Sequence, residues 1–173
     1  MMDALRANPP EVLITSAVFN AAAPLGSAGD VKMTRDAGVE GFSLRWAEVE
    51  ALGTKVIALI DNPLPSADID DCVGKNLSDL SRCALRRSSA VGGSGAPALL
   101  AAAAKTPGVD VVDLTDYFCD ATTCPAVIGN VIVYRGGYHL TDTYIRTLAP
   151  ILAWRLDHIL AASAAPSPSR PGP

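Results

Sequence analysis

Residues 54–65 of the chain read "TKVIALIDNPLP". The middle of this stretch is a short run of aliphatic residues, and the run stops at a proline-rich turn. Short apolar runs bounded by turn residues are typical of strands that are buried on both faces, as in a parallel sheet. The stretch therefore predicts a buried strand whose carboxyl end carries Asp61. That carboxylate is a candidate to line a crevice, although a turn residue before Asn62 is the simpler interpretation.

Strand and helix patterns alternate around this stretch. In chain order we predict a strand at 11–19, a helix at 34–53, the strand at 54–65, a helix at 96–108, a strand at 109–118, a short strand at 130–135 and a closing helix at 141–162. Such alternation indicates an α/β fold with a parallel sheet. Ligands of these sheets bind beyond the carboxyl ends of the strands, so candidate site residues are expected there.

Individual residues set the expected helix limits. Thr34 is a candidate N-cap and Gly53 a C-terminal stop for the first long helix. Pro150 should kink or interrupt the closing helix, because it removes a backbone hydrogen bond. The segment 66–96 is polar and includes the predicted loop "VGGSG", whereas 163–173 is a Pro/Ser-rich tail that we expect to be disordered. One domain over 1–162 precedes that tail.

Composition limits the function classes. The 173 residues are 49% apolar and 18% charged, which suits one domain with a real core. The net charge is −4 and no long basic run is present, so nucleic acid is not an expected partner. No stretch is apolar enough to span a bilayer, and the first residues do not resemble a signal peptide. Expressed by itself, the chain would therefore be cytoplasmic.

Four cysteines form two local pairs, Cys72 with Cys83 and Cys119 with Cys124. Two short-loop disulfides fit best, because each pair brackets polar turn residues that could close a small loop. Disulfides would imply an oxidising compartment. The alternatives are a zinc site and four free thiols in a cytosolic protein. Zinc is disfavoured because the spacings are not the short C-x-x-C of zinc ribbons and because no histidine adjoins either pair.

Several motifs in one order carry a resemblance to a known family. They are "DNPLP" at 61–65, "DCVGKNLSDLSRC" at 71–83, "GVDVVDLTDYFCDATTCPAVIGNVIVYR" at 108–135 and "HLTDTYIRTLAPIL" at 139–152. Together, over about 11–160, the chain resembles the C-terminal half of the SGNH (GDSL-like) domain of bacterial membrane O-acyltransferases. The resemblance implies a three-layer, flavodoxin-like fold with a parallel sheet.

The resemblance also implies a role. In that family the domain follows a membrane part and lies on the extracytoplasmic side, where it helps to move acyl groups, usually acetyl, onto cell-surface glycans. An acyl donor and a glycan acceptor are then the expected ligands, with no metal and no cofactor. The cysteine pairs make sense as disulfides there, and the export signal would belong to the membrane part.

The family chemistry uses a serine nucleophile, a histidine base and an aspartate that orients the histidine. By resemblance His139 is the base. No Gly-Asp-Ser sequence is present, "SAGD" at 27–30 has the wrong order, and Ser16 is interpreted as a packing or crevice-lining residue. We therefore expect that the chain begins in mid-domain, without the first two strands and the nucleophile. The strand at 11–19 would then be a bare apolar edge.

A second departure concerns the carboxylate. The family pattern D-x-x-H has its Asp three residues before the histidine, where this chain has Gly136. Asp142, three residues after the histidine, is a weak candidate for the orienting carboxylate, since an Asp in the first turn of a helix is also explained by the helix dipole. Tyr138, beside the histidine, is a candidate ligand contact.

Three hypotheses follow from these departures. The first is a truncated or degenerate acyltransferase domain that is inactive by itself. The second is one half of a split acyltransferase or esterase, in which an upstream chain supplies the serine and His139 remains the base. The third is a non-enzymatic module that uses the crevice to bind a glycan or a protein.

Overall fold

The computed structural model describes residues 2–65, 68–136 and 138–164. In chain order its helices and strands are α1 Met2–Ala7, β1 Val12–Thr15, α2 Arg35–Glu50, β2 Lys55–Leu59, α3 Ile69–Lys75, β3 Leu85–Arg86, α4 Arg87–Gly93, α5 Ala96–Lys105, β4 Asp110–Val112, β5 Thr123–Cys124, β6 Val127–Ile128, β7 Val131–Ile132, β8 Tyr134–Arg135, β9 His139–Leu140 and α6 Asp142–Ala164. The fold is α/β, as the alternating pattern predicted.

The main sheet has the order β1-β2-β4 and is parallel throughout. All three strands are shorter than the predicted 11–19, 54–65 and 109–118. The third shows why: Asp113 accepts a hydrogen bond from the backbone N–H of Thr115 at 2.8 Å, and a 3₁₀ turn follows. This local side-chain bond competes with the strand and ends it.

The prediction of one strand at 130–135 was wrong. The region forms two hairpins instead, β6 with β7 and β8 with β9, and neither joins the main sheet. Gly129 and Asn130 both have positive φ, at 56° and 64°. This is the backbone of a type I′ hairpin turn, so the chain reverses at Asn130 instead of starting an extended run there.

The helix limits are close to those predicted. Thr34 caps α2 by accepting from the N–H of Ala37 at 3.1 Å, and Gly53 ends this region with φ +86°. The predicted loop 91–95 is partly helical, because α4 extends to Gly93. Pro150 does not interrupt α6, which is one helix. The hydrogen bond that proline removes concerns the carbonyl of Arg146, and both residues are exposed to water.

Each face of the sheet has its own core. Alternating residues of β2 point to opposite faces, with Val56 and Ala58 on one and Ile57 on the other. The first face, which we call the α2 face, is covered by α2 and α5; its core is Val39, Trp46, Val49, Val56, Ala58, Ile60, Ala96, Ala98, Leu99 and Ala102. The second, the α6 face, has a core that includes Ile57, Ile69, Val73, Cys83, Val112, Phe118, Cys124, Tyr134, Tyr144 and Leu148.

Two disulfides brace the α6 face. Cys72 of α3 is bonded to Cys83 at the end of a 3₁₀ turn, and Cys119 is bonded to Cys124 of β5. Three of these four residues are buried in the core of the α6 face. The segment 66–96, predicted as polar with a cysteine pair and a loop, contains α3 and α4, and its Cys83 is buried in the core of the α6 face.

The edge strand β1 and the last helix α6 are both partly exposed to solvent. β1 is an edge of the main sheet, and 48% of Ile14 is exposed there. Helix α6 continues two residues into the predicted tail 163–173, and the rest of that tail lies outside the described residues. Within the described ranges, every helix is too short or too polar to traverse a lipid bilayer.

Candidate functional site

A cavity of about 270 Å³ lies at the carboxyl ends of the parallel strands. We call it the His139 cavity; its lining residues are Val18, Asp61, Asn62, Leu64, Tyr138, His139, Leu140 and Ile145. The position follows from the chain path, because Asp61 comes two residues after β2 and His139 begins β9, just before α6. The cavity therefore occupies the edge at which α/β sheets bind their ligands.

The carboxylate of Asp61 is held in place by a backbone hydrogen bond. Its Oδ2 accepts a hydrogen bond from the backbone N–H of Gly95 at 2.9 Å. Burial raises the pKa of its carboxyl above the usual value, although the bonds from the N–H groups of Gly95 and Asn62 oppose that shift. A Cβ at Gly95 would overlap the carbonyl of Ala17, so only glycine allows the two segments to approach. The result is a fixed carboxylate at the wall of the cavity.

His139 and Tyr138 form the outer wall. Their ring centroids are 4.9 Å apart, and both side chains are exposed. An exposed tyrosine ring with a polar tip beside an imidazole can contact both the apolar face and the hydroxyl groups of a ligand. The predicted contacts Tyr138 and Asp61 thus lie in the same cavity as His139, and their roles stay predictions.

Asp142 is not part of this cavity. Its carboxylate accepts from Nε of Arg146 at 2.8 Å on the exposed surface of α6, with 76% of the Asp142 side chain exposed. This i,i+4 pair directs Asp142 along its own helix. No hydrogen bond joins Asp142 to His139 among the described residues, and the orienting role stays a prediction.

Gly136 occupies the family's Asp position with φ +53°, in the left-handed region that favours glycine. Its backbone N–H donates to Oδ2 of Asp70 in α3 at 2.7 Å. Sequence reasoning missed this contact, since 66 residues separate the partners and no local pattern joins them. Asp70 thus holds the backbone at Gly136, and Gly136, which has no side chain, cannot supply the family's orienting carboxylate.

A second cavity, of about 300 Å³, adjoins the first. We call it the apolar cavity; its lining residues are Ser16, Leu59, Ile60, Asp61, Asn62, Leu114, Phe118, Leu140, Ile145, Leu148, Ala149 and Leu152. Ser16 therefore lines a crevice, but it does not line the His139 cavity. Asn62 lines both cavities and was not singled out from the sequence, although its place next to Asp61 was a usable signal.

The arrangement offers an imidazole, a carboxylate, an amide and a phenol around one small space. These groups can accept or donate hydrogen bonds to a polyhydroxylated ligand and can move a proton at His139. Among the described residues no cluster of three or more His, Cys, Asp or Glu side chains could hold a metal ion.

The fold and the cavity define a layered α/β domain whose candidate site lies at the carboxyl ends of parallel strands. A family model described as "SGNH domain (fused to AT3 domains)" matches residues 1–153. The chain belongs to this family, which confirms the resemblance drawn from its motifs.

One solved structure supports the same fold. The chain is similar to the periplasmic domain of a lipopolysaccharide acetyltransferase from Salmonella ser. Paratyphi A, with a TM-score of 0.53 and 13% sequence identity. The likeness covers 88% of this chain and 60% of that chain, so the present chain spans somewhat more than half of its neighbour. No curated protein matches the sequence.

Proposed function

We propose that this chain is a domain for the O-acylation of cell-envelope glycans, with His139 as the base that accepts a proton from a hydroxyl group in its cavity. The proposal rests on one observation: a single cavity at the carboxyl ends of the strands is lined by His139, Tyr138, Asp61 and Asn62. An acyl donor and a glycan acceptor are the ligands proposed for it. The family model and the neighbour's description support this direction.

The proposal includes little or no ester turnover by the chain alone. Acyl transfer through this type of site needs a nucleophilic hydroxyl within reach of the base, and no serine lines the His139 cavity. The orienting carboxylate is also missing at Gly136. In a serine-protease template, removal of that carboxylate's charge costs about 10⁴ in kcat. Both departures reduce catalysis while they leave a binding cavity in place.

An extracytoplasmic location is part of the same proposal. Two disulfides persist best in an oxidising compartment, and the neighbour's description names a periplasmic domain. A thiol count on protein made in an oxidising compartment, unfolded without reductant, tests the disulfide part of this proposal. Zero reactive thiols are expected, and four would contradict it.

The test of the function uses the purified chain and an O-acetylated oligosaccharide. We expect saturable binding by NMR titration that weakens in Tyr138→Ala, with no release of acetate above a blank. His158→Ala is the matched control, because His158 lies on the exposed surface of α6 and bonds only to its own helix. Absence of binding by the folded chain would refute the proposal.

A second candidate is supported by the edge strand. β1 has no strand on its outer side within the described residues, and its own Ile14 is exposed. Unpaired apolar edges are templates for strand addition. A separate polypeptide that pairs with β1 could then supply the serine, and His139 would act as base in the reconstituted site.

Reconstitution distinguishes this candidate from a binding module. A polypeptide with the family's Gly-Asp-Ser segment is mixed with this chain, and ester hydrolysis is measured with and without His139→Ala. A rise in turnover that the variant abolishes supports the split enzyme. No rise, together with glycan binding that His139→Ala leaves unchanged, supports the non-enzymatic module instead.

A further inference from the structure

The apolar cavity behind His139 has no role in the chemistry proposed so far. It shares Asp61, Asn62, Leu140 and Ile145 with the His139 cavity, so the two spaces adjoin. Its polar groups, which include the hydroxyl of Ser16, all follow the carboxyl ends of β1 and β2. The cavity is therefore polar at the end toward the strand termini and apolar elsewhere.

The apolar part lies between the sheet and α6. Leu59 of the sheet, Phe118, and Leu148 and Leu152 of α6 line it. At its rim Ile145 is 47% exposed, so apolar surface is left open to water next to the site. Exposed apolar surface with a few convergent polar groups is characteristic of ligand sites, and about 300 Å³ is at the lower limit for such sites.

We propose that the apolar cavity is a subsite for an acyl chain longer than acetyl. This inference rests on the proposed function, since it assigns the ester group to the His139 cavity and the hydrocarbon chain to the space between β2 and α6. The Nδ2 of Asn62 already bonds the carbonyl of Pro63 at 3.2 Å and has a second hydrogen to donate to an ester carbonyl. The carboxylate of Asp61 disfavours a free fatty acid, so the preferred ligand is an uncharged ester.

The experiment measures affinity against chain length. The probes are methyl glucoside esters that carry acetyl, butanoyl or hexanoyl on the 6-hydroxyl, titrated into the full chain by calorimetry. Complete burial of one methylene strengthens binding about fourfold. We expect at least a tenfold gain from acetyl to hexanoyl, because the cavity is partly open and burial is incomplete.

A substitution on α6 tests where the acyl chain of the ester binds. Ala149→Phe fills the apolar cavity and should remove the gain with length while acetyl-ester binding is retained. Ala153→Phe is the matched control: it adds the same ring to the same helix at an exposed position that lines neither cavity, and the gain should persist. Ala149→Leu is a milder second variant, for which we expect a partial loss.

The outcomes separate this inference from the proposed function. Binding of the acetyl ester with no gain for longer esters overturns the subsite and leaves the function in place. Binding of none of the esters overturns both. A gain that survives both Ala149→Phe and Ala149→Leu shows that the acyl chain binds elsewhere and overturns the subsite.

Discussion

The two faces of the sheet are built differently. On the α2 face, two helices pack against the strands and against each other, and every member of the core is aliphatic or aromatic without a buried hydroxyl. On the α6 face, one long helix and two short hairpins pack together and two disulfides crosslink the chain. The core of this face contains Tyr134 and Tyr144. The α6 face therefore depends on crosslinks where the α2 face depends on helix packing.

The difference explains where the candidate site lies. Helix α6 contacts β4 and β7, away from the edge strand β1, so the sheet between β1 and α6 is incompletely covered. The His139 cavity and the apolar cavity both open on this side. The α2 face also has a cavity, of about 270 Å³ between α1, β1 and α2, but its lining does not include His139 or Asp61.

The two tryptophans test this comparison with the largest expected effect. Trp46 on the α2 face is 3% exposed, whereas Trp154 on α6 is 54% exposed. We expect Trp46→Ala to lower the free energy of unfolding by about 3–5 kcal/mol, since it opens a large cavity. Trp154→Ala should change it by less than about 0.5 kcal/mol. Urea unfolding of both variants measures the contrast, and equal losses would contradict the burial of Trp46 and the exposure of Trp154.

Removal of the disulfides should affect the α6 face selectively. We expect loss of Cys72–Cys83, which are 11 residues apart, to cost about 3 kcal/mol, and loss of Cys119–Cys124, which are 5 apart, about 2 kcal/mol. Serine pairs at either position provide the variants. Amide hydrogen exchange should speed up in α3 before it does in β2, and uniform exchange over both faces would contradict the comparison.

The two core tyrosines predict changes of opposite sign. The buried hydroxyl of Tyr134 has no hydrogen-bond partner among the described residues, and burial raises its pKa. Tyr134→Phe should therefore stabilise the protein by about 1 kcal/mol. The hydroxyl of Tyr144 donates to the carbonyl of Tyr117, so Tyr144→Phe should destabilise by about 1 kcal/mol. Thermal unfolding of the two variants checks both signs, and a loss of stability in Tyr134→Phe would show that its hydroxyl is paired.

The smallest effect concerns pH at the edge of the site. Burial raises the pKa of Asp61 above 3.8, so the folded state binds a proton there more readily than the unfolded chain. Its contribution to stability is complete below pH 3.8 and is lost as the pH rises through the folded pKa. As the pH rises from 3.8 through the folded pKa of Asp61, the native protein should lose free energy of unfolding relative to the Asp61→Asn variant.

Asp120 provides the opposite sign in the same measurement. Hydrogen bonds from the N–H of Thr122, and from the N–H and hydroxyl of Thr123, lower the pKa of Asp120 to about 2. Its contribution is present above pH 3.8 and is lost as the pH falls through about 2. Urea unfolding at several pH values compares each native carboxylate with its Asn variant. Slopes of the same sign would contradict both assignments.

Much of the fold was predictable because its signals are local. The run 54–65 shows a buried strand by composition, Thr34 and Gly53 mark helix limits by their own backbone preferences, and the family motifs stand in one order. The reversal at Asn130 was missed because the β-branched residues of 130–135 were given more weight than the two-residue turn signal of Gly129 and Asn130. The strand 109–118 was predicted too long because apolar residues continue past Asp113, although the bond that Asp113 accepts from the N–H of Thr115 ends the strand there.

The fold class, the family and the candidacy of His139 could be inferred from the sequence, because periodicity, turn residues and motif order can be read along the chain. The set of polar groups around His139 depends on tertiary packing. Asp61 and Asn62 reach its cavity from a strand end nearly eighty residues earlier, Asp70 bonds the backbone at Gly136, and Asp142 pairs with Arg146. Such contacts depend on how helices and strands pack in space, and packing brings together residues whose separation along the chain carries no periodic signal.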